Sequence, residues 1–225
     1  MMRRTLMQRF ARWHIWLGWI VAIPIVLWLV SGLFMAAKPI EEVRGEHLRR
    51  PARPVDPAGL VAPQAQGPIA KLSLLDEAGR SVWVVTGADK TVRRYDARSG
   101  QAIGTVDEAE ARRIALAAYS GPQPLIAVRF FGKDAAPFDL RRPRPSWQAS
   151  FADDTRFYID AESGEVLAVR TRWWRTYDFL WGLHIMDMSE RENPHNPWVW
   201  TLGALALATS IMGAALLFRR RRRQR

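Results

Sequence analysis

The sequence contains no cysteine. That excludes a disulfide scaffold, thiolate catalysis, Fe–S clusters and a Cys-based zinc site. Histidine is scarce. His14, His47, His184 and His195 are the only four in 225 residues, and none sits at HExxH or another tight metal-ligand spacing. There is no nucleophile elbow and no phosphate-cradling glycine loop, so the sequence offers no catalytic residue set and no metal site. Asp153-Asp154 are adjacent within the turn sequence ADDT and are read as solvating that turn rather than sharing a proton. Acid is missing from both ends: all 22 Asp and Glu fall between Lys38 and Asn196.

What is present at the ends is arginine. The formal charge is +11, with 33 Lys and Arg. Residues 1–13 hold four arginines and residues 219–225 hold six, which leaves 23 basic residues against 22 acidic ones between them. The charge therefore belongs to the tails. A nucleic-acid partner, which such a net charge suggests at first sight, is not expected.

Each basic tail (1–14 and 219–225) abuts an uncharged run: 23 residues from Ile15 to Ala37, and 22 from Pro197 to Phe218. A spanning helix takes about 20 such residues, and in hydrocarbon the backbone satisfies itself best as a helix. The spacing predicts transmembrane helices over 15–37 and 197–218. Pro24 is tolerable there as a kink. Trp13, Trp16 and Trp19, with Trp198 and Trp200, read as interfacial belts. The first run exceeds the roughly 7–15 residues of a signal-peptide core, and Met35-Ala36-Ala37 makes a poor cleavage site. The positive-inside rule puts both termini in the cytoplasm and residues 38–196 on the other side of the membrane. The arginine blocks then act as anchors on anionic lipid.

Between the spans, residues 38–68 are rich in Pro, Ala and Arg and read as an extended linker with one helical turn. A folded domain is expected over 69–172. Ser81–Val85 and Thr91–Tyr95 read as paired strands, and Val106–Tyr119 as an amphipathic helix with acids at its start and Ser120-Gly121-Pro122 at its stop. Leu125–Phe131, Trp147–Phe151, Arg156–Ile159 and Glu165–Val169 read as further strands. One element occurs twice. Asp96-Ala97-Arg98-Ser99-Gly100 and Asp160-Ala161-Glu162-Ser163-Gly164 each follow an aromatic-ended strand and precede an apolar one. The Asp accepts turn N–H groups and the Gly supplies positive φ. The echo predicts a duplicated module within an α+β domain. Residues 173–196 follow as an amphipathic interfacial segment, in which Tyr177, Leu180, Trp181 and His184 share one helical stripe.

His14 and His184 are the candidate ligands. His14 lies at the cytoplasmic mouth of the first helix, one turn before Gly18. A small residue at that spacing lets a flat ring or another helix approach. Its imidazole could be a haem axial ligand or an interfacial group bonded to headgroups. His184 could serve likewise, or anchor the amphipathic stripe. From His14 to Lys38 a helix rises about 36 Å, so the two histidines belong to opposite faces and cannot share one haem within a monomer. A homo-oligomer or a membrane partner is expected if haem is bound. His195 lies beside Asn196 and Pro197, which suit a helix start, and is read as structural. His47 has no assigned role.

The segment Tyr158–Leu167, with a helix and strands before it, resembles the PepSY domain, a helix packed on an antiparallel sheet. Arg12-Trp13-His14-Ile15-Trp16-Leu17-Gly18-Trp19, running to Ser31-Gly32-Leu33, resembles the opening helix of the PepSY-associated transmembrane family. Phe179-Leu180-Trp181-Gly182-Leu183-His184 resembles the same family's aromatic segment before its next helix. The resemblance implies a PepSY protein anchored in the bacterial inner membrane, with residues 38–196 in the periplasm. Because larger relatives include haem-bearing reductases of iron–siderophore complexes, it also implies a haem b component of iron-linked membrane redox. The chain has two spans where many relatives have four or more. The alternative implied by the family is a non-enzymatic periplasmic module that binds a partner or restrains a peptidase.

Overall fold

The computed structural model describes the backbone of residues 2–223 and the side chains of residues 7–218. Arg3, Arg4 and the block from Arg219, read as lipid anchors, lie outside the described side chains. The chain forms two compact units, Met1–Lys38 with Thr176–Arg225, and Pro39–Arg175.

The first unit is helical. It contains α1 (Met2–Ala36), most of α4 (Arg172–His184) and α5 (Pro197–Arg223). Within α1 and α5, Met7–Ala36 and Pro197–Phe218 are long and apolar enough to cross a membrane. Helix α1 continues through Pro24. The two helices pack on each other, burying Val21, Ser31 and Thr209, while Trp16, Trp19, Trp198 and Trp200 face outward. Outward apolar side chains are what a lipid solvent accepts and water does not. Asn196 caps α5: its Oδ1 accepts from Trp198 N at 3.1 Å and Val199 N at 3.2 Å. The loop before it is organised by Asp187, whose carboxylate accepts from Glu190 N, Glu192 N, Asn193 N and the Ser189 hydroxyl. The Ser189 bond and those amides hold the Asp187 carboxyl far below the usual range.

The second unit is α+β. It begins with a helical turn, α2 (Ile40–Val43), and then carries two four-stranded antiparallel meanders. The first is β1 (Ile69–Glu77), β2 (Arg80–Gly87), β3 (Val92–Asp96) and β4 (Ala102–Ile103). The second is β5 (Leu125–Phe131), β6 (Ser146–Phe151), β7 (Arg156–Asp160) and β8 (Val166–Arg170). Between them lies α3 (Glu108–Ala118), capped by Asp107, whose Oδ1 accepts from Glu110 N at 2.7 Å. Ala111, Ile114 and Ala115 of α3 pack on Phe151, Phe157, Ile159 and Val169 to form the main core. On the far face of the second sheet, Tyr158 donates to the buried Asp139, and Arg156 reaches the same carboxylate at 3.3 Å. Burial, with Asp139 beside it, raises the Tyr158 hydroxyl above its ordinary pKa.

The repeated turn has the same geometry in both sheets. Asp96 Oδ1 accepts from Arg98 N and Ser99 N, both at 3.0 Å, and Asp160 Oδ1 accepts from Glu162 N and Ser163 N, both at 2.9 Å. Gly100 and Gly164 close the turns at φ +72° and +76°, the left-handed region that glycine enters at least cost. The two halves therefore share strand order and turn. They do not share a helix: α3 packs on the second sheet, and within this unit only single helical turns precede β1.

The stretch read as a linker is docked along the second unit. Arg50 N donates to Ala118 O at 2.8 Å, Val61 N to Ala97 O at 2.9 Å, and Gln64 N to Gly100 O at 3.0 Å. The Trp83 indole closes over it, donating to Val61 O at 2.8 Å. Where the sequence predicts one helical turn in this stretch the structure has two, α2 and a second turn at 46–48, and β1 adds a strand to those expected from the sequence.

A buried ion cluster ties the first sheet to α3. Arg94 on β3 is almost fully enclosed and donates to Glu77 on β1 and to both oxygens of Glu110 on α3, at 2.7 and 3.0 Å. Its Nη1 also reaches Gly104 O at 3.0 Å. Burial pushes the Glu77 carboxyl up from its usual value against the pull of Arg94. Burial also opposes the Arg94 charge, but its hydrogen bonds to Glu110 and Glu77 outweigh this and hold the guanidinium protonated.

Candidate functional site

The helical unit places each candidate histidine against a glycine of a neighbouring helix. At the end of α4, the His184 ring lies on α1 over Gly32. A Cβ built on Gly32 comes 3.4 Å from His184 Cε1. Trp28 of α1 flanks the ring at 5.3 Å between centroids, and Trp181, one turn back on α4, stacks at 6.5 Å and 19°. The stripe of Tyr177, Leu180, Trp181 and His184 thus turns its last member onto α1.

Ser31 fixes the ring's orientation. Its hydroxyl donates back to Trp28 O at 3.0 Å, and its Oγ lies 2.9 Å from His184 Nδ1. With the hydroxyl proton directed at Trp28 O, Oγ accepts from Nδ1–H. The neutral imidazole then carries its lone pair on Nε2. This is the arrangement in which a metal-binding histidine is held, with one nitrogen donating to a second group and the other left for coordination. Ser31 itself is only 1% exposed, so the serine end of this pair is enclosed.

His14 on α1 lies against α5. A Cβ on Gly213 would come 3.0 Å from His14 Cε1 and 3.4 Å from Nε2. His14 Nδ1 is enclosed and has no hydrogen-bond partner among the described residues. Gly18, singled out as the small residue that lets a ring approach, faces open space, with nothing within 4 Å of its Cβ position. The close approach to His14 is made on α5 instead. His47 and His195 each lie in an exposed turn: His47 O accepts from the Ser120 hydroxyl and His195 N donates to Asn193 Oδ1.

The two sites are far apart. His14 and Ser31 are separated by roughly 26 Å of helix rise on α1. One porphyrin cannot reach both. Nor does one chain have room for one. His184 lines a recess with Pro24, Trp28, Met186, Leu202 and Ala206, of about 110 Å³, against roughly 300–1,000 Å³ for sites that enclose a ligand of that size. The donors fit a haem axial position, whereas the cavity of the isolated chain does not enclose a haem.

Compared with known proteins, the chain matches a family model described as the PepSY-associated TM region over residues 10–225. No curated protein and no solved structure matches it.

Proposed function

Since the chain belongs to the PepSY-associated transmembrane family, we propose that it is an inner-membrane PepSY protein that holds b-type haem together with a second copy or a membrane partner. The observation that carries this reading is the Ser31–His184 pair: a half-buried imidazole with Nδ1 anchored at 2.9 Å on a buried serine and its other nitrogen left for a ligand. His14 supports it with an enclosed, unpartnered Nδ1 beside the Gly213 notch. Haem, when bound, supplies one-electron transfer. The chain's own contribution is to present one imidazole near each membrane face, with Ser31 orienting His184 and Trp28 and Trp181 flanking it. With both basic tails in the cytoplasm, His14 lies toward the cytoplasmic face and His184 toward the periplasmic one. Each chain supplies one ligand per site, so a facing copy or partner supplies the other and widens the recess at His184.

The test is the absorption spectrum of the purified membrane protein supplied with haem during expression. The expected result is a Soret band and a sharpened α band on reduction, with partial loss in His14→Ala and in His184→Ala. A colourless protein, or a spectrum unchanged by both substitutions, would overturn the reading.

A further inference from the structure

The α+β unit contains a second feature that the haem reading does not use. A recess of about 850 Å³ runs beside β1 at Leu74–Ala78. Its other sides are the extended segment Arg49–Val55, α3 at Ile114 and Ala117, and the start of β8 at Gly164–Val166. The size falls within the roughly 300–1,000 Å³ of built ligand sites.

The wall formed by β1 is an open sheet edge. β1 is the outermost strand of its meander and pairs only with β2. The β1–β2 turn, with Ala78 at φ +55° and Gly79 at φ +90°, is the two-residue kind that closes on a hydrogen-bonded pair, here Glu77 and Arg80. Counting back in twos, Leu72, Leu74 and Asp76 are the positions whose N–H and C=O turn away from β2. Among the described residues, no backbone group outside the β1–β2 ladder meets them. An unpaired edge is a template for another strand. Near Ile69 a lysine, Lys71, guards it. Along Leu74-Leu75 it is apolar and unguarded.

The opposite wall carries charge without counter-charge. Arg49, Arg50 and Arg53 are exposed and hold no ion pair among the described residues. The acids that line the recess do not answer them fully. Asp76 is engaged by Gly79 N at 2.9 Å, Glu77 is locked into Arg94, and only Glu165 is left.

We propose that this recess binds an extended, acidic segment of a partner polypeptide, added as a strand on the outer edge of β1. Backbone hydrogen bonds to Leu72, Leu74 and Asp76 hold it, over about five residues at 3.3 Å each. Its side chains alternate. One set lies on the apolar floor at Ile114, Ala117 and Val166, and the other meets the three arginines. This makes the α+β unit an interaction module in its own right, independent of whether the membrane helices hold haem.

The test uses the full chain in lipid nanodiscs and a fluorescein-labelled peptide of alternating Asp and Val, read by anisotropy. Three controls accompany it: the Lys-Val counterpart, the Asp-Val peptide N-methylated at alternate amides, and the Arg49→Glu/Arg53→Glu variant, whose changes are at exposed positions. The expected result is saturable binding of the acidic peptide, weakened about tenfold or more by N-methylation, by charge reversal and by raised salt. Hydrogen exchange then slows at the amides of Leu72, Leu74 and Asp76. Binding that is insensitive to N-methylation and charge reversal, or protection that appears elsewhere, would show that the recess is not the site. No saturable binding of either peptide would sink the interaction-module reading as well.

Discussion

Replacing Arg94 with Met tests the ion cluster that joins the first sheet to α3. The guanidinium is 1% exposed, Glu77 is 2% exposed, and both oxygens of Glu110 lie within 3.0 Å of Arg94. Methionine keeps most of the volume and removes every donor. Glu77 is then left buried, with its neighbours already committed: Arg113 donates to its backbone carbonyl, and a Cβ added at Gly164 would have no room beside it. Breaking a buried pair by removing one partner costs about 3–5 kcal/mol. For a unit of this size that is a fall of roughly 10 °C in Tm. Removing Glu77 and Arg94 together, as Glu77→Met/Arg94→Met, costs less, because Glu110, the charge that remains, keeps Arg113 at 3.5 Å and Arg80 at 3.8 Å. The sign of the pH effect follows. A Glu77 carboxyl raised above its unfolded value contributes stability below the unfolded pKa and loses it as pH rises through the folded one. The Arg94→Met variant therefore recovers stability on acidification toward the carboxylate range. The assay is thermal unfolding of the purified chain in detergent, as a double-mutant cycle at two pH values. A loss under about 1 kcal/mol for Arg94→Met, or a double variant equal to the sum of the singles, would refute the reasoning.

Three further outcomes are expected. Gly164→Ala drives a Cβ into the Glu77 carboxylate from a φ of +76°, at a cost of about 1–3 kcal/mol, and urea titration reads it; a neutral result would mean the turn relaxes freely. Ser31→Ala removes the acceptor of His184 Nδ1 and should weaken haem uptake by about 10–100-fold, measured by titrating haem into the apoprotein, while an unchanged affinity would show that Ser31 does not orient the ring. Asp187, whose carboxyl is held low in the fold, contributes order to its loop above its unfolded pKa and loses it as pH falls through the folded one. The amides of Glu190, Glu192 and Asn193 should stay protected from exchange through the usual carboxylate range and open only below it, and opening near pH 4, roughly the ordinary aspartate pKa, would contradict the hydrogen-bond count.

What was legible in the sequence was what repeats or segregates along the chain. The spans followed from arginine and apolar residues sorted into blocks, because a bilayer imposes that sorting on any chain that crosses it. The twin turns were legible because Asp and Gly each perform a backbone task that few residues can. The strand β1 was not, since its edge position leaves one end exposed on both faces, IAKL, and breaks the alternation. Arg94 reads as a surface residue in TVRRY, and its burial depends on Glu77 and Glu110, brought in from other elements. His14 and His184 could be singled out by residue type, but their surroundings could not. Ser31 is 153 positions from His184, and helical spacing locates Gly18 relative to His14 without saying which face α5 covers. The structure moves that contact to Gly213.

Native mass spectrometry of the chain released from detergent, with haem supplied during expression, tests the central claim most directly. The account predicts an assembly of at least two chains, or of the chain with a membrane partner, that retains haem and loses part of it, with a matching fall in the reduced α band, in His184→Ala. A haem-free monomer, or a monomer that alone retains haem, would contradict it.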